Sequence, residues 1–315
     1  MTSKLPARLN NAKTIGIYSP SGAFCDSAEK TGLFRKGCER LESHGFTVRD
    51  SKHCGGIWWN ASAHPQERAS DLADLVADGD IDVIIPSIGG HVAHQMLPYV
   101  DFGRIAESGK ALFGFSDNAI LPLITTAQTG AVTFHTLCDV TFGFGRCDGT
   151  NYSLTEAGFL SATRNGTFDL SCSKMWKPLQ GGRASGVLLG GNLKGLTMLA
   201  GTPWWPDWKG KILFWESADP RHAVVQHLVH LANMGVFDEI AGMIIGRFST
   251  LKESFYKPDQ VVPPDVLLLD VLGLRGRFPI VIEADIGHDV ENVTIPLGCV
   301  ADLAVTDVVD CKVRL

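Results

Sequence analysis

Three short stretches place reactive groups at the ends of apolar runs. Gly114-Phe115-Ser116-Asp117-Asn118 brings a serine to the end of the run over residues 111–115, and residues 119–127 can form a helix. A serine on such a turn is exposed at a strand end and faces the positive end of the next helix. Those are the mechanics of a nucleophile elbow. The second glycine of that motif is replaced by Asn118, so on these residues alone Ser116 reads equally as a helix N-cap. Ser87-Ile88-Gly89-Gly90-His91 follows a second apolar run. Paired glycines let backbone N–H groups approach a ligand closely. This suits an oxyanion hole formed by Gly89 and shared with the N–H of Asp117; the alternative is an ordinary tight turn. Glu216 closes Ile212-Leu213-Phe214-Trp215, where a carboxylate is partly desolvated, with Asp219 as a competitor for its role. His288, in Asp285-Ile286-Gly287-His288, follows the run over 279–282 and is placed as a general base. A single histidine is more often structural, and only the combination argues for chemistry. Serine, histidine and a carboxylate are the set that acyl transfer requires. His91 and His94 share a helical face without an evident carboxylate partner, and no H-E-x-x-H or Walker loop occurs. No metal and no cofactor are expected.

These groups can meet only if the runs that carry them lie in sheets. Residues 14–18 read as a buried strand ended by Ser19-Pro20-Ser21-Gly22. Residues 27–44 carry Leu33, Phe34, Cys38 and Leu41 at helical spacing, closed by Gly45. A strand over 46–48, an amphipathic helix over 65–77 and a strand over 82–86 follow. Helical signal at 91–97 and strands over 111–115 and 132–134 complete this half. Strands without polar alternation, separated by helices, predict an α/β fold with a parallel sheet covered on both faces. Ligand sites in such sheets sit at the carboxyl ends of strands, where Gly89-Gly90 and Ser116 fall. Residues 145–185 are rich in Gly, Ser, Thr, Asn and Lys and read as a linker with a surface loop holding Trp176. The expected division is 1–150 with the nucleophile, 151–185 as linker and loop, and 186–315 with Glu216 and His288. The last part shows Gly190-Gly191-Asn192-Leu193, strands at 211–215, 241–246 and 279–284, helices at 221–234 and 265–272, and β segments within 299–314.

A chain of 315 residues with 45% apolar and 20% charged residues can bury a sizeable core. A net charge of −6 without a Lys/Arg run lacks the footprint of a nucleic-acid binder, and no apolar stretch has the length of a membrane span. The eight cysteines form no C-x-x-C pair, and the N-terminus has no apolar segment of signal-peptide length. Reduced thiols and a cytoplasmic location are expected.

The order of the signals resembles the L,D-carboxypeptidase family of serine peptidases over nearly the whole chain. The residues that carry the resemblance run from Ile15-Gly16-Ile17-Tyr18-Ser19-Pro20-Ser21 through Glu67-Arg68, Ile88-Gly89-Gly90 and Gly114-Phe115-Ser116-Asp117. They continue with Gly190-Gly191-Asn192-Leu193, Gly201-Thr202-Pro203, the run ending in Glu216, Gly287-His288 and Ile295-Pro296-Leu297-Gly298. The resemblance implies that Ser116 is the nucleophile, His288 the base and Glu216 the residue that orients it. It implies a Rossmann-like N-terminal domain, a smaller β-rich C-terminal domain, a site between them, and a homodimer. Three positions depart from the common pattern: Ile88 replaces an arginine, His91 a tyrosine and Ser217 an acid. The Ile-Gly-Gly form and a tryptophan in the linker are similar to the microcin C immunity branch, where such an aromatic can stack on a nucleotide-like group. Trp176 is the candidate, or else it covers the domain interface. Gly90 and His91 join it as expected substrate contacts. The substrate is then an aminoacyl-nucleotide conjugate or another small peptide, the murein tetrapeptide of cell-wall recycling being the alternative. Arg183 or Lys194 could meet its charged end. A non-catalytic small-molecule binder is the reading from another class, since fold alone does not dictate function.

Overall fold

The computed structural model describes residues 4–144, 153–170, 176–248, 256–257 and 260–315. The strands of the first half are β1 (Thr14–Tyr18), β2 (Thr47–Asp50), β3 (Val83–Pro86), β4 (Ala111–Gly114) and β5 (Thr133–His135). They are followed by β6 (Lys177–Gln180), β7 (Gly182–Asn192), β8 (Ile212–Glu216) and β9 (Gly242–Ile245). The chain closes with β10 (Ile280–Ile282), β11 (Ile295–Leu297), β12 (Val300–Val305) and β13 (Val309–Arg314).

The first sheet has the order β11-β5-β4-β3-β1-β2. Its strands β1 to β5 run parallel, and β1, β3, β4 and β5 are buried along their whole length. That double-sided burial explains why these runs lack polar alternation. One face packs on Phe34, Leu41 and Phe159; the other, through Ile84 and Leu112, joins a core that continues to Phe214, Ile244 and Ile280 of the second sheet. The edge is closed by β11, which returns from the C-terminal part and pairs antiparallel with β5, Ile295 opposite His135. The second sheet has the order β13-β12-β7-β8-β9-β10-β6, with a parallel centre β7-β8-β9-β10 and antiparallel flanks.

Local chemistry sets the helix ends. The helix Ala28–Ser43 is capped by Ser27, which accepts from the Lys30 N–H. The helix Pro65–Ala77 starts on a proline, and the His64 side chain accepts from the Gln66 N–H while Glu67 reaches back to the His64 N–H. The helix Ile120–Thr129 ends at Gly130, whose φ of 74° is the left-handed cap that glycine favours.

The expected linker and loop over 151–185 contain more structure than their composition suggests. The helix Ser153–Asn165 lies there, and β6 and β7 begin there. The helix buries Thr155, Phe159, Ala162 and Thr163. Small and hydroxyl side chains make up most of that stripe, so it shows little hydropathy contrast. Signal at 91–97 belongs to a 3₁₀ helix, Ala93–Tyr99, and that at 265–272 to a π-helix, Val266–Val271. Among the described residues no helix is long and apolar enough to cross a membrane.

Candidate active site

Ser116 follows β4 by two residues and opens the 3₁₀ turn Ser116–Ala119 before the helix Ile120–Thr129. Its φ is 56°, a left-handed conformation. Such a backbone costs a non-glycine residue on the order of 1–3 kcal/mol and persists only where its surroundings enforce it. Here Asn118 donates from Nδ2 to the Ile88 carbonyl at 2.8 Å, and the Thr136 N–H donates to the Gly114 carbonyl at 3.1 Å. The turn is held on both sides.

Glu216 is the last residue of β8 and is 1% exposed. His288 stands on a loop after β10. Asn292 clamps that loop, accepting the Gly287 N–H at 2.7 Å and donating to the Gly287 carbonyl at 2.9 Å. The three groups form one hydrogen-bonded chain. His288 Nε2 lies 2.9 Å from Ser116 Oγ, and Nδ1 lies 2.8 Å from Glu216 Oε2. With Nδ1–H donated to the carboxylate, Nε2 is left to accept the serine proton. The other carboxylate oxygen accepts from Asn192 Nδ2 at 2.9 Å.

The electrostatics follow from burial and charge. Burial alone would raise the Glu216 carboxyl, but the charge of His288 and the hydrogen bonds from His288 and Asn192 outweigh it and hold it below the ordinary carboxylate range. Burial alone would lower His288; the charge and hydrogen bond of Glu216 reverse this and raise it. A second histidine, His135, is 1% exposed, and its ring lies 5.5 Å from Phe115 and 5.3 Å from Phe214. Burial brings it down to about 4. His135 is therefore neutral near pH 7 and adds no charge beside the pair.

The Gly89-Gly90 turn closes the other side. A Cβ built on Gly89 would lie 2.9 Å from Ser116 Oγ, so only backbone fits there. Among the described residues, the N–H groups of Gly89 and Asp117 donate to no protein acceptor. Gly90 abuts Gly22, and His91 is exposed at the end of the same turn. Trp176, just before β6, is 6% exposed and belongs to the main core, its indole N–H without an acceptor among the described residues. Arg183 sits near the start of β7, about 30 Å from Asn192 at ~3.3 Å per residue. Lys194 lies in the helix Leu193–Thr197 directly after Asn192.

Sequence reasoning did not single out Asn192, Asn292 or His135. Asn192 was visible only as part of Gly190-Gly191-Asn192-Leu193. Asn292 clamps Gly287 only five residues away, but an asparagine in a loop carries no mark of such a bond, and the ring partners of His135 are distant in the chain. A serine–imidazole–carboxylate chain beside unpaired backbone N–H groups can transfer an acyl group.

The chain matches the LD-carboxypeptidase N-terminal domain over residues 15–136 and the LD-carboxypeptidase C-terminal domain over residues 185–303. It is similar to the microcin C7 self-immunity protein MccF of Escherichia coli, 27% identical over 323 residues, covering 93% of this chain and 91% of that protein. It is also similar to the probable murein peptide carboxypeptidase of Bacillus subtilis, 26% identical over 304 residues, covering 94% and 90%. A solved structure of MccF in complex with aspartyl sulfamoyl adenosine has the same fold, with a TM-score of 0.85 at 24% identity, covering 100% of this chain and 99% of that one.

Proposed function

The chain belongs to the LD-carboxypeptidase family of peptidases, and from that premise we propose a Ser116–His288–Glu216 triad that hydrolyses an amide bond. The observation that carries this reading is His288 in hydrogen-bond reach of both Ser116 Oγ, at 2.9 Å, and Glu216 Oε2, at 2.8 Å. His288 Nε2 takes the hydroxyl proton as Ser116 Oγ bonds to the amide carbonyl carbon. Glu216 holds the tautomer and balances the imidazolium. The N–H groups of Gly89 and Asp117 receive the oxyanion, a contribution of about 3–4 kcal/mol of barrier per donor. The imidazolium then returns the proton to the leaving amine as the C–N bond breaks. Water, deprotonated by His288, then bonds to the acyl carbon, and His288 returns that proton to Ser116 Oγ as the Oγ–C bond breaks.

The substrate proposed first is an aminoacyl-nucleotide conjugate, with Gly90 and His91 as the groups that meet it; Trp176, 6% exposed within the main core, has little free surface for stacking and takes the covering role instead. Support comes from the similarity to MccF over 93% of the chain and from Ile88 at the position before Gly89-Gly90. A murein peptide is the second reading, supported by the Bacillus subtilis relative. Mass spectrometry of both substrates with wild type and Ser116→Ala separates them. Wild type is expected to cleave the conjugate, and Ser116→Ala to lose at least about 10³-fold. Cleavage of the tetrapeptide alone would overturn the first substrate; full turnover by Ser116→Ala would overturn the mechanism. The family resemblance further supports a homodimer acting in the cytoplasm, which sedimentation and cell fractionation would contradict by finding a monomer or an exported protein.

A further inference from the structure

The carboxylate of Asp117 is engaged away from the triad. Its Oδ2 accepts the Ser21 hydroxyl at 2.5 Å and the Ala93 N–H at 2.8 Å. Ser21 is fully buried, and its Oγ in turn accepts the Val92 N–H at 3.1 Å. The Gly22 N–H donates to the Gly89 carbonyl at 3.1 Å. Gly90 approaches so closely that a Cβ there would lie 2.6 Å from the Gly22 nitrogen. Behind these contacts Arg68, 1% exposed, donates to the carbonyls of Pro20, Val92 and Ala63 and to Gln95 Oε1. Three segments that each follow a strand of the first sheet are thus tied at one point: 19–22 after β1, 87–93 after β3, and 116–119 after β4.

We infer that Ser21 and the Asp117 carboxylate are positioning residues that fix the spacing between the two oxyanion donors, the N–H groups of Gly89 and Asp117. The inference rests on the serine-hydrolase reading. One donor belongs to Asp117 itself; the other lies within the segment that Ser21, Val92 and Ala93 anchor. A hydroxyl on a carboxylate is among the stronger hydrogen bonds, and at a buried serine water does not compete for it. Oxyanion donors act because they are held in place before charge develops, within roughly 0.5 Å of the productive geometry. The carboxylate needed for that hold is consequently not a rival base to His288.

The test compares wild type, Ser21→Ala and Asp117→Asn. Turnover is measured on aspartyl sulfamoyl adenosine and murein tetrapeptide, and binding on a boronic acid carrying the same acyl residue. On boronate binding an Oγ–B bond forms at Ser116, its proton passes to His288, and boron becomes a tetrahedral anion whose hydroxyl takes the oxyanion position. Ser21→Ala is expected to lower kcat and boronate affinity together by about 10- to 100-fold. KM should stay within about twofold and Tm within a few degrees. Asp117→Asn keeps an acceptor but loses the charge and should fall between the two; it supplies the readout if Ser21→Ala does not fold. Wild-type kcat in a folded Ser21→Ala, or a raised KM with kcat unchanged, would overturn the clamp alone. A wild type that cleaves neither substrate and does not bind the boronate would overturn the hydrolase reading, and the clamp with it.

Discussion

At the scale of single residues, His288 is held between two opposed effects. Burial favours its neutral form, and the Glu216 carboxylate favours the charged form and prevails. A general base works only when neutral, so a raised pKa moves the acid limb of kcat/KM upward. Activity is expected to rise with pH through an inflection above the ordinary histidine value of about 6.5. Glu216→Gln keeps the shape and removes the charge. Burial then dominates, so the inflection should move down while kcat falls by about 10³–10⁴-fold, as for other triads whose acid is replaced by its amide. A pH–rate profile of the two proteins checks both signs. An inflection that stayed in place would mean that Glu216 does not set the base.

At the scale of elements, the helix Ser153–Asn165 shows how a sequence pattern can be true and still hidden. Thr155, Phe159, Ala162 and Thr163 recur at helical spacing and are all buried, but only Phe159 is large and apolar. Its ring meets Phe113 at 5.1 Å, Phe142 at 5.4 Å and Phe46 at 6.0 Å. Phe159→Ala should therefore cost about 3–5 kcal/mol in urea unfolding; a loss below about 1 kcal/mol would mean that this ring does not anchor the helix. The helix also reaches the site. Thr155 Oγ1 accepts the Asn292 N–H at 2.6 Å, and Asn292 clamps the loop that carries His288. By contrast, β1 and the helix Pro65–Ala77 were legible to the residue. One is a continuous apolar run between turn residues, the other an amphipathic pattern opened by proline.

At the scale of the molecule, the two sheets depend on one another. The main core runs from Ile84 and Leu112 of the first sheet into Phe214 and Ile244 of the second, and β11 carries C-terminal residues into the first sheet beside β5. A shared core and a lent edge strand couple the two halves in unfolding. Calorimetry is expected to show one cooperative transition; two resolved transitions would contradict that coupling. The same architecture assembles the candidate site, since Ser116 comes from the first sheet and Glu216 and His288 from the second.

What the amino-acid sequence determined by itself was local. Apolar runs without alternation marked parallel buried strands, and Gly89, Ser116, Glu216 and His288 stood at or near their ends because run length and turn residues are read over a few positions. Which of those ends would meet was decided only by the tertiary structure. His288 reaches Ser116 across 172 residues and Glu216 across 72, and Ser21 reaches Asp117 across 96. No periodicity records such distances, because they follow from how two sheets pack. The same holds for β11, whose three residues are too few to reveal their partner or their direction. Burial leaves its pattern in the chain residue by residue; the meeting of strand ends is a property of the packed core.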